Sequence, residues 1–348
     1  MQRHIVLYDG TWNDPADRTN VFRLARYISD RDAAGNTQRF KYDAGVGTGR
    51  VGRLVGGAFG VGLSRNLMEG YEWLAKSYRE GDEIWIFGFS RGAYTARSLA
   101  GLIRKCGLLD VYTPKLLTQA YKLYRDTREA PDGKTCATFR ANYGLEPDIH
   151  FLGVWDTVGA LGIPGTAISE TGAFKWHDQQ ISKKVKYAYH AMALDEHRKS
   201  YDTTLWTTAD GKKKPENIDV EQCWFIGAHA NVGGGYGDDS LADLPFAWMM
   251  QKAAAAGLAL RPFTPSPDAH RGKVVDSFRE FLSGVYAGLS RIFKPGDGRH
   301  HREFRGPPQA DRSVAVNVTV HESVWRRWKA DGTYRPKTLA NAKLEPPR

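Results

Sequence analysis

The sequence predicts an α/β protein built on a doubly wound, mostly parallel sheet. Three observations carry that prediction. Short apolar runs recur along the chain, stretches of helical spacing lie between them, and residues suited to chemistry cluster just after the runs. Alternating strands and helices give parallel neighbours with helices on both faces of the sheet. Ligands in such sheets bind beyond the carboxyl ends of the strands.

The elements follow in order. Residues 4–8 (HIVLY) form the first strand, and the turn Asp9-Gly10-Thr11-Trp12-Asn13 comes after it. A helix over 20–29, a strand over 39–42 and a helix over 67–78 lead to 83–87 (EIWIF), whose β-branched and aromatic residues read as a short buried strand. The spacing then predicts a helix over 92–106, a strand over 150–155, a helix over 181–195, a strand over 221–226, a helix over 241–256 and a last strand over 314–319. Three stretches break the alternation. Residues 45–62 are glycine-rich, 114–147 form a helical excursion, and 261–312 combine prolines, a helix over 276–290 and a basic stretch. The last two read as insertions, at about 110–147 and 261–312, that could cap the site of one domain spanning 1–348.

Composition narrows the class. With 348 residues, 41% hydrophobic and 25% charged, the chain can bury a large core. Cys106, Cys136 and Cys223 form no C-x-x-C pair, which argues against a zinc ribbon or a disulfide framework and for a reducing compartment. The first strand begins within four residues of Met1, leaving no space for a signal peptide, and no apolar run approaches a membrane span. The expected location is cytoplasmic, or outside the cell by one-step secretion without a signal peptide. The net charge of +10 concentrates at KKVK (183–186) and KKK (212–214), which is either solvated surface or a peripheral contact with anionic membrane. No aromatic-interleaved motif accompanies it, so nucleic acid is not an expected partner.

Chemistry gathers at the strand ends. Gly88-Phe89-Ser90-Arg91-Gly92 must turn sharply from strand to helix, and glycines two before and two after a serine leave room for a strained elbow that exposes its hydroxyl. The competing reading is a serine that caps the helix. Asp156 follows the 150–155 strand and His229 follows the 221–226 strand, giving the chain order Ser, Asp, His of the α/β hydrolases. A serine hydroxyl needs an imidazole to accept its proton, and the imidazole needs a carboxylate to fix its tautomer. Ser90, His229 and Asp156 supply the three parts. Backbone N–H groups for a developing oxyanion come from Arg91 and from Gly10 or Thr11.

The stretches LYDGTWND, TNVFRL, DAGVGTG, GDEIWIFGFSRGAYTAR, LGVWDTVGALG, YHAMALDEHR, WFIGAHANVGGGYGD and HESVWRRW carry a resemblance that runs along nearly the whole chain. It resembles a bacterial family of uncharacterised α/β-hydrolase domains that includes the first group of type VI secretion phospholipase effectors. The resemblance implies an esterase or lipase fold acting on an ester or lipid, with the triad at Ser90, Asp156 and His229.

Other residues compete for these roles. His190 and His321 are alternative bases, and Asp195 and Asp238 alternative acids. A metal-dependent phosphoesterase using Asp9, Asp156, His229 and Asp238 is the second reading, and a catalytically silent hydrolase scaffold the third. No cofactor is expected: Gly47-x-Gly49-x-x-Gly52 lacks the acidic residue that a dinucleotide site places some ~20 positions later. Gly133-Lys134-Thr135 lacks the earlier phosphate-loop glycine, since position 128 is Arg128.

Overall fold

Among the described residues, seven strands pair in parallel to form the central sheet: β1 (Gln2–Tyr8), β2 (Thr37–Asp43), β3 (Glu83–Phe89), β4 (Ile149–Trp155), β5 (Val185–Ala193), β6 (Asp219–Phe225) and β7 (Val318–Val320). The computed structural model describes residues 1–10, 17–45, 57–159, 180–238, 240–280, 298–309 and 311–347. The strand order is β7-β6-β5-β4-β3-β1-β2, so the winding reverses direction at β1. In an open sheet the crevice beside such a reversal is where ligands bind. The register aligns the carboxyl ends: Tyr8 pairs with Gly88, Phe89 with Trp155, Trp155 with Ala191 and Ala193 with Phe225. Whatever follows β1, β3, β4 and β6 is therefore delivered to one edge.

The period of two along each strand sorts side chains between two cores. On one face Val6, Ile84, Ile86, Leu152 and Val154 pack with helices α2 (Gly57–Ser77) and α3 (Arg91–Cys106), through residues such as Tyr71, Ala96 and Leu99. On the other, Ile5, Leu7, Trp85, Phe87, Phe151 and Trp155 pack with Val21 and Leu24 of α1 (Asn20–Tyr27) and with Phe246 and Met249 of the helix Asp243–Ala255. Each large side chain buried this way contributes about 1.5–3 kcal/mol relative to exposure.

The 114–147 excursion supplies α4 (Pro114–Arg125) and α5 (Lys134–Tyr143). Thr113 caps α4 by accepting from Leu116 N, Ala120 O accepts from Cys106 Sγ at 3.2 Å, and Tyr124 lies against Gly101, so α4 covers the outer side of α3. The described parts of 261–312 pack elsewhere, over the loop after β6. Within them Ser277–Glu280 is helical, and the rest of the helix expected over 276–290 lies outside the described residues.

Two elements differ from the sequence reading. Residues 181–195 were expected as helix, yet Val185–Ala193 is the strand β5, between β4 and β6. Both of its faces are buried from Ala188 onward, so the alternation that announces a half-exposed strand is absent, and Ala-Met-Ala-Leu imitates a helix. The run 314–319 splits: Val314–Ala315 pairs antiparallel with Thr207–Thr208, and Val318–Val320 becomes the edge strand β7.

Candidate active site

The elbow forms because two glycines let backbones touch. A Cβ on Gly92 would lie 2.2 Å from Tyr8 O, and one on Gly88 would lie 2.4 Å from Gly92 O. Between them Ser90 has φ 59° and ψ −122°, a conformation that costs an L-residue on the order of 1–3 kcal/mol. Ser90 precedes α3 but makes no capping bond with its side chain. Its Oγ instead lies 2.8 Å from His229 Nε2. The helix-cap reading of the serine therefore does not hold.

His229 opens α6 (His229–Gly233), directly beyond β6. Asn231 fixes that loop, its side-chain oxygen accepting from Ala228 N and Val275 N, each at 3.1 Å. The imidazole lies against the Phe89 ring, with Tyr201 edge-on at 5.1 Å. His229 Nδ1 is 2.6 Å from Asp156 Oδ2. Asp156 follows β4 with φ 37°, so the carboxylate, like the serine, occupies a left-handed turn at a strand end. Its Oδ1 also accepts from Ala193 N at 3.0 Å.

Electrostatics set the charge states. Burial pushes the Asp156 carboxyl up, but Arg302 and His229 outweigh it and hold the group well below the usual carboxylate range. Burial lowers His229, against the pull of Asp156, which favours a neutral imidazole able to accept a proton. Beside them Glu196 accepts from His229 N at 3.3 Å, from Ser277 Oγ at 2.9 Å and bidentately from Arg198, which offsets burial and leaves Glu196 at about 2.

The oxyanion donors are placed unequally. Arg91 opens α3, where the helix terminus concentrates N–H groups. Gly10 N–H is engaged: it donates to Asp9 Oδ1 at 2.7 Å. Thr11 lies outside the described residues, as does most of the glycine-rich 45–62 stretch. Asp9 is itself buried, and its Oδ2 accepts from Thr19 Oγ1 at 2.6 Å and from Tyr42 at 2.7 Å. Thr19 also caps α1, so the DG turn and the TNVFRL motif lock one another.

The competing residues sit elsewhere. His190 is in β5, not on a helix; its Nε2 accepts from Thr157 N at 3.1 Å, and burial with the nearby Arg97 charge pushes it down to about 3. His321 caps the helix Glu322–Ala330 and stacks on Phe225. Asp195 accepts from Gly227 N and Tyr334 Oη. Asp238 is exposed and accepts from Ser240 N. The four residues of the metal reading are thus not gathered: among the described residues no group of three His, Cys, Asp or Glu is arranged to hold an ion. The lysine clusters flank the amino ends of β5 and β6, the edge opposite Ser90. There Lys186 pairs with Asp148 at 3.0 Å and Lys213 donates to Asn217 O.

Sequence reasoning missed Arg302, Glu196, Arg198 and Tyr201. The sequence marks 261–312 as basic, but nothing distinguishes Arg302 from the other cations of the chain.

A parallel sheet with a strained serine in the turn after an inner strand, β3, is an α/β-hydrolase-type architecture. The chain belongs to the family of Tle1-like phospholipase effectors of the type VI secretion system, whose catalytic-domain model matches residues 2–252. An uncharacterized protein of Saccharomyces cerevisiae, YEL023C, is 28% identical over 231 residues, 58% of this chain but only 32% of the yeast protein. A Tle1 effector solved bound to the VgrG spike is similar at 14% identity and TM-score 0.48, covering 84% of this chain and 80% of that one. An esterase from Thermogutta terrifontis, solved with propionate, is similar at 15% identity and TM-score 0.39, covering 76% of this chain and 86% of that one. Among the described residues no helix is long and apolar enough to cross a membrane.

Proposed function

We propose that the protein hydrolyses carboxylic esters of apolar acyl groups, phospholipids among them, by a serine mechanism with a covalent acyl-enzyme. One observation carries the reading: a serine hydroxyl 2.8 Å from an imidazole nitrogen whose other nitrogen lies 2.6 Å from a buried carboxylate. Ser90 Oγ attacks the ester carbonyl carbon while His229 Nε2 takes its proton. Asp156 holds the Nδ1–H tautomer and stabilises the imidazolium. The N–H of Arg91, at the start of α3, receives the oxyanion; that of Gly10 is already given to Asp9 Oδ1. Collapse expels the alcohol, protonated by His229, and water then attacks the acyl-enzyme with His229 again as base.

For delivery, family membership supports one-step export by the type VI system. The catalytic test is turnover of short-chain soluble esters, and of anionic and zwitterionic vesicles, by the protein and by folded Ser90→Ala, each with and without a chelator. The proposal expects turnover that Ser90→Ala loses and the chelator leaves unchanged. Normal turnover by Ser90→Ala would remove the serine mechanism, and hydrolysis of soluble esters alone would remove the lipid.

A further inference from the structure

The Asp156 carboxylate has a second partner that the serine mechanism does not require. Arg302 reaches it from a loop beyond the span matched by the family model. Its Nη1 donates to Asp156 Oδ1 at 2.6 Å and to Ala193 O at 2.8 Å, while Nη2 donates to Asp156 Oδ2 at 2.9 Å and to Tyr201 O. The guanidinium is 1% exposed and the carboxylate fully buried, so solvent screens neither. We propose that Arg302 is a positioning residue of the triad, fixing the Asp156 carboxylate by a two-pronged bond and setting the basicity of His229 by its charge. The inference rests on the serine-hydrolase reading of the same site.

Geometry supports the first role. A carboxylate with both oxygens held by one planar fork cannot rotate about its last bond, and the Oδ2 that Arg302 holds is the one facing His229 Nδ1. The same guanidinium ties the ends of two segments, through Ala193 O and Tyr201 O, whose Tyr201 ring packs edge-on against the imidazole. Arg302 therefore fixes the imidazole from the carboxylate side and, through Tyr201, from the ring side.

Charge supports the second. The charged groups facing His229 are Asp156, Arg302, Glu196 and Arg198; with a neutral imidazole their charges cancel. Tyr201 and Ser90 also face the ring, His190 is buried neutral behind Thr157, and Asp202 pairs with His300 at 3.2 Å. His197 and His301 lie edge to face, and the backbone carbonyl of His300, the residue next to His301, bonds to His197 Nδ1. Without Arg302 the central cluster carries −1, and a second proton on His229 restores neutrality. Loss of Arg302 must then make His229 more basic, protonating it at pH values where it should act as base.

The test compares the protein with Arg302→Met and Arg302→Lys. In Arg302→Met, kcat falls with little change in KM, and the acid limb of kcat/KM moves up by about one pH unit, a tenfold further loss below the limb. Arg302→Lys keeps the charge without the fork, so kcat falls while the limb stays in place; if Arg302→Met does not fold, Arg302→Gln takes its place in reading the limb. A uniformly lower Arg302→Met profile with an unmoved limb overturns the charge role, and an Arg302→Lys protein of full kcat overturns the positioning role. The imidazole titration of His229, followed by NMR with Ser90→Ala in both proteins, reads the same shift without hydrolysis. Failure of the hydrolase reading would appear separately, as turnover that survives Ser90→Ala.

Discussion

Gly92 lies directly beneath the β1 turn, close enough that a Cβ there would stand 2.2 Å from Tyr8 O and 2.4 Å from Asp9 O. Both obstacles are backbone and neither can swing aside. Gly92→Ala should therefore destabilise the protein by about 3 kcal/mol or more, the upper end of ordinary overpacking. Denaturant unfolding measures it; a change under about 1 kcal/mol would mean that the elbow can relax.

Ser90 pays for its position in backbone strain. At φ 59° and ψ −122° it sits where glycine rests more easily. Relief of about 1–3 kcal/mol outweighs the roughly 0.4–1 kcal/mol that glycine adds to the entropy of the unfolded chain. Ser90→Gly should thus melt at a higher temperature than Ser90→Ala. Equal or lower melting would show that the turn holds no strain.

Ser90, His229 and Asp156 should behave as one unit. Ser90→Ala costs on the order of 10⁴-fold or more in rate, and adding His229→Ala or Asp156→Asn then costs little further. Multiplying losses would mean that the three act separately. His190→Ala serves as the contrast: its ring accepts from Thr157 N, so its loss affects stability more than the proton transfer.

The pH dependence has a definite sign. His229 must be neutral to accept the serine proton, and burial lowers it from the ordinary imidazole value. Activity should therefore rise with pH along an acid limb whose midpoint lies below about 6.5, with full activity at neutral pH. A midpoint well above that value, measured as kcat/KM, would assign the limb to another group.

Much of the fold was legible because each strand ends in a recognisable break. The runs before Asp9, Ser90 and Asp156 are strands in the structure, within a few residues of their expected ends. The strand β5 was not legible. Its burial on both faces erases the alternation that separates strand from helix, and His190 was consequently placed on the wrong element. The residues brought together at the sheet edge could be named because they follow strands in chain order. Arg302 could not, since it comes from a loop and meets Asp156 only through the tertiary fold. The engagement of Gly10 was equally hidden: nothing in the letters DG says that the aspartate turns back on the next N–H.

The most direct measurement is covalent. The protein is treated with a fluorophosphonate, and the adduct is located by intact mass and peptide mapping, with and without a chelator. The account predicts one adduct per chain, on Ser90, indifferent to the chelator and lost in folded His229→Ala. An unlabelled folded protein, or an adduct on another serine, would contradict it.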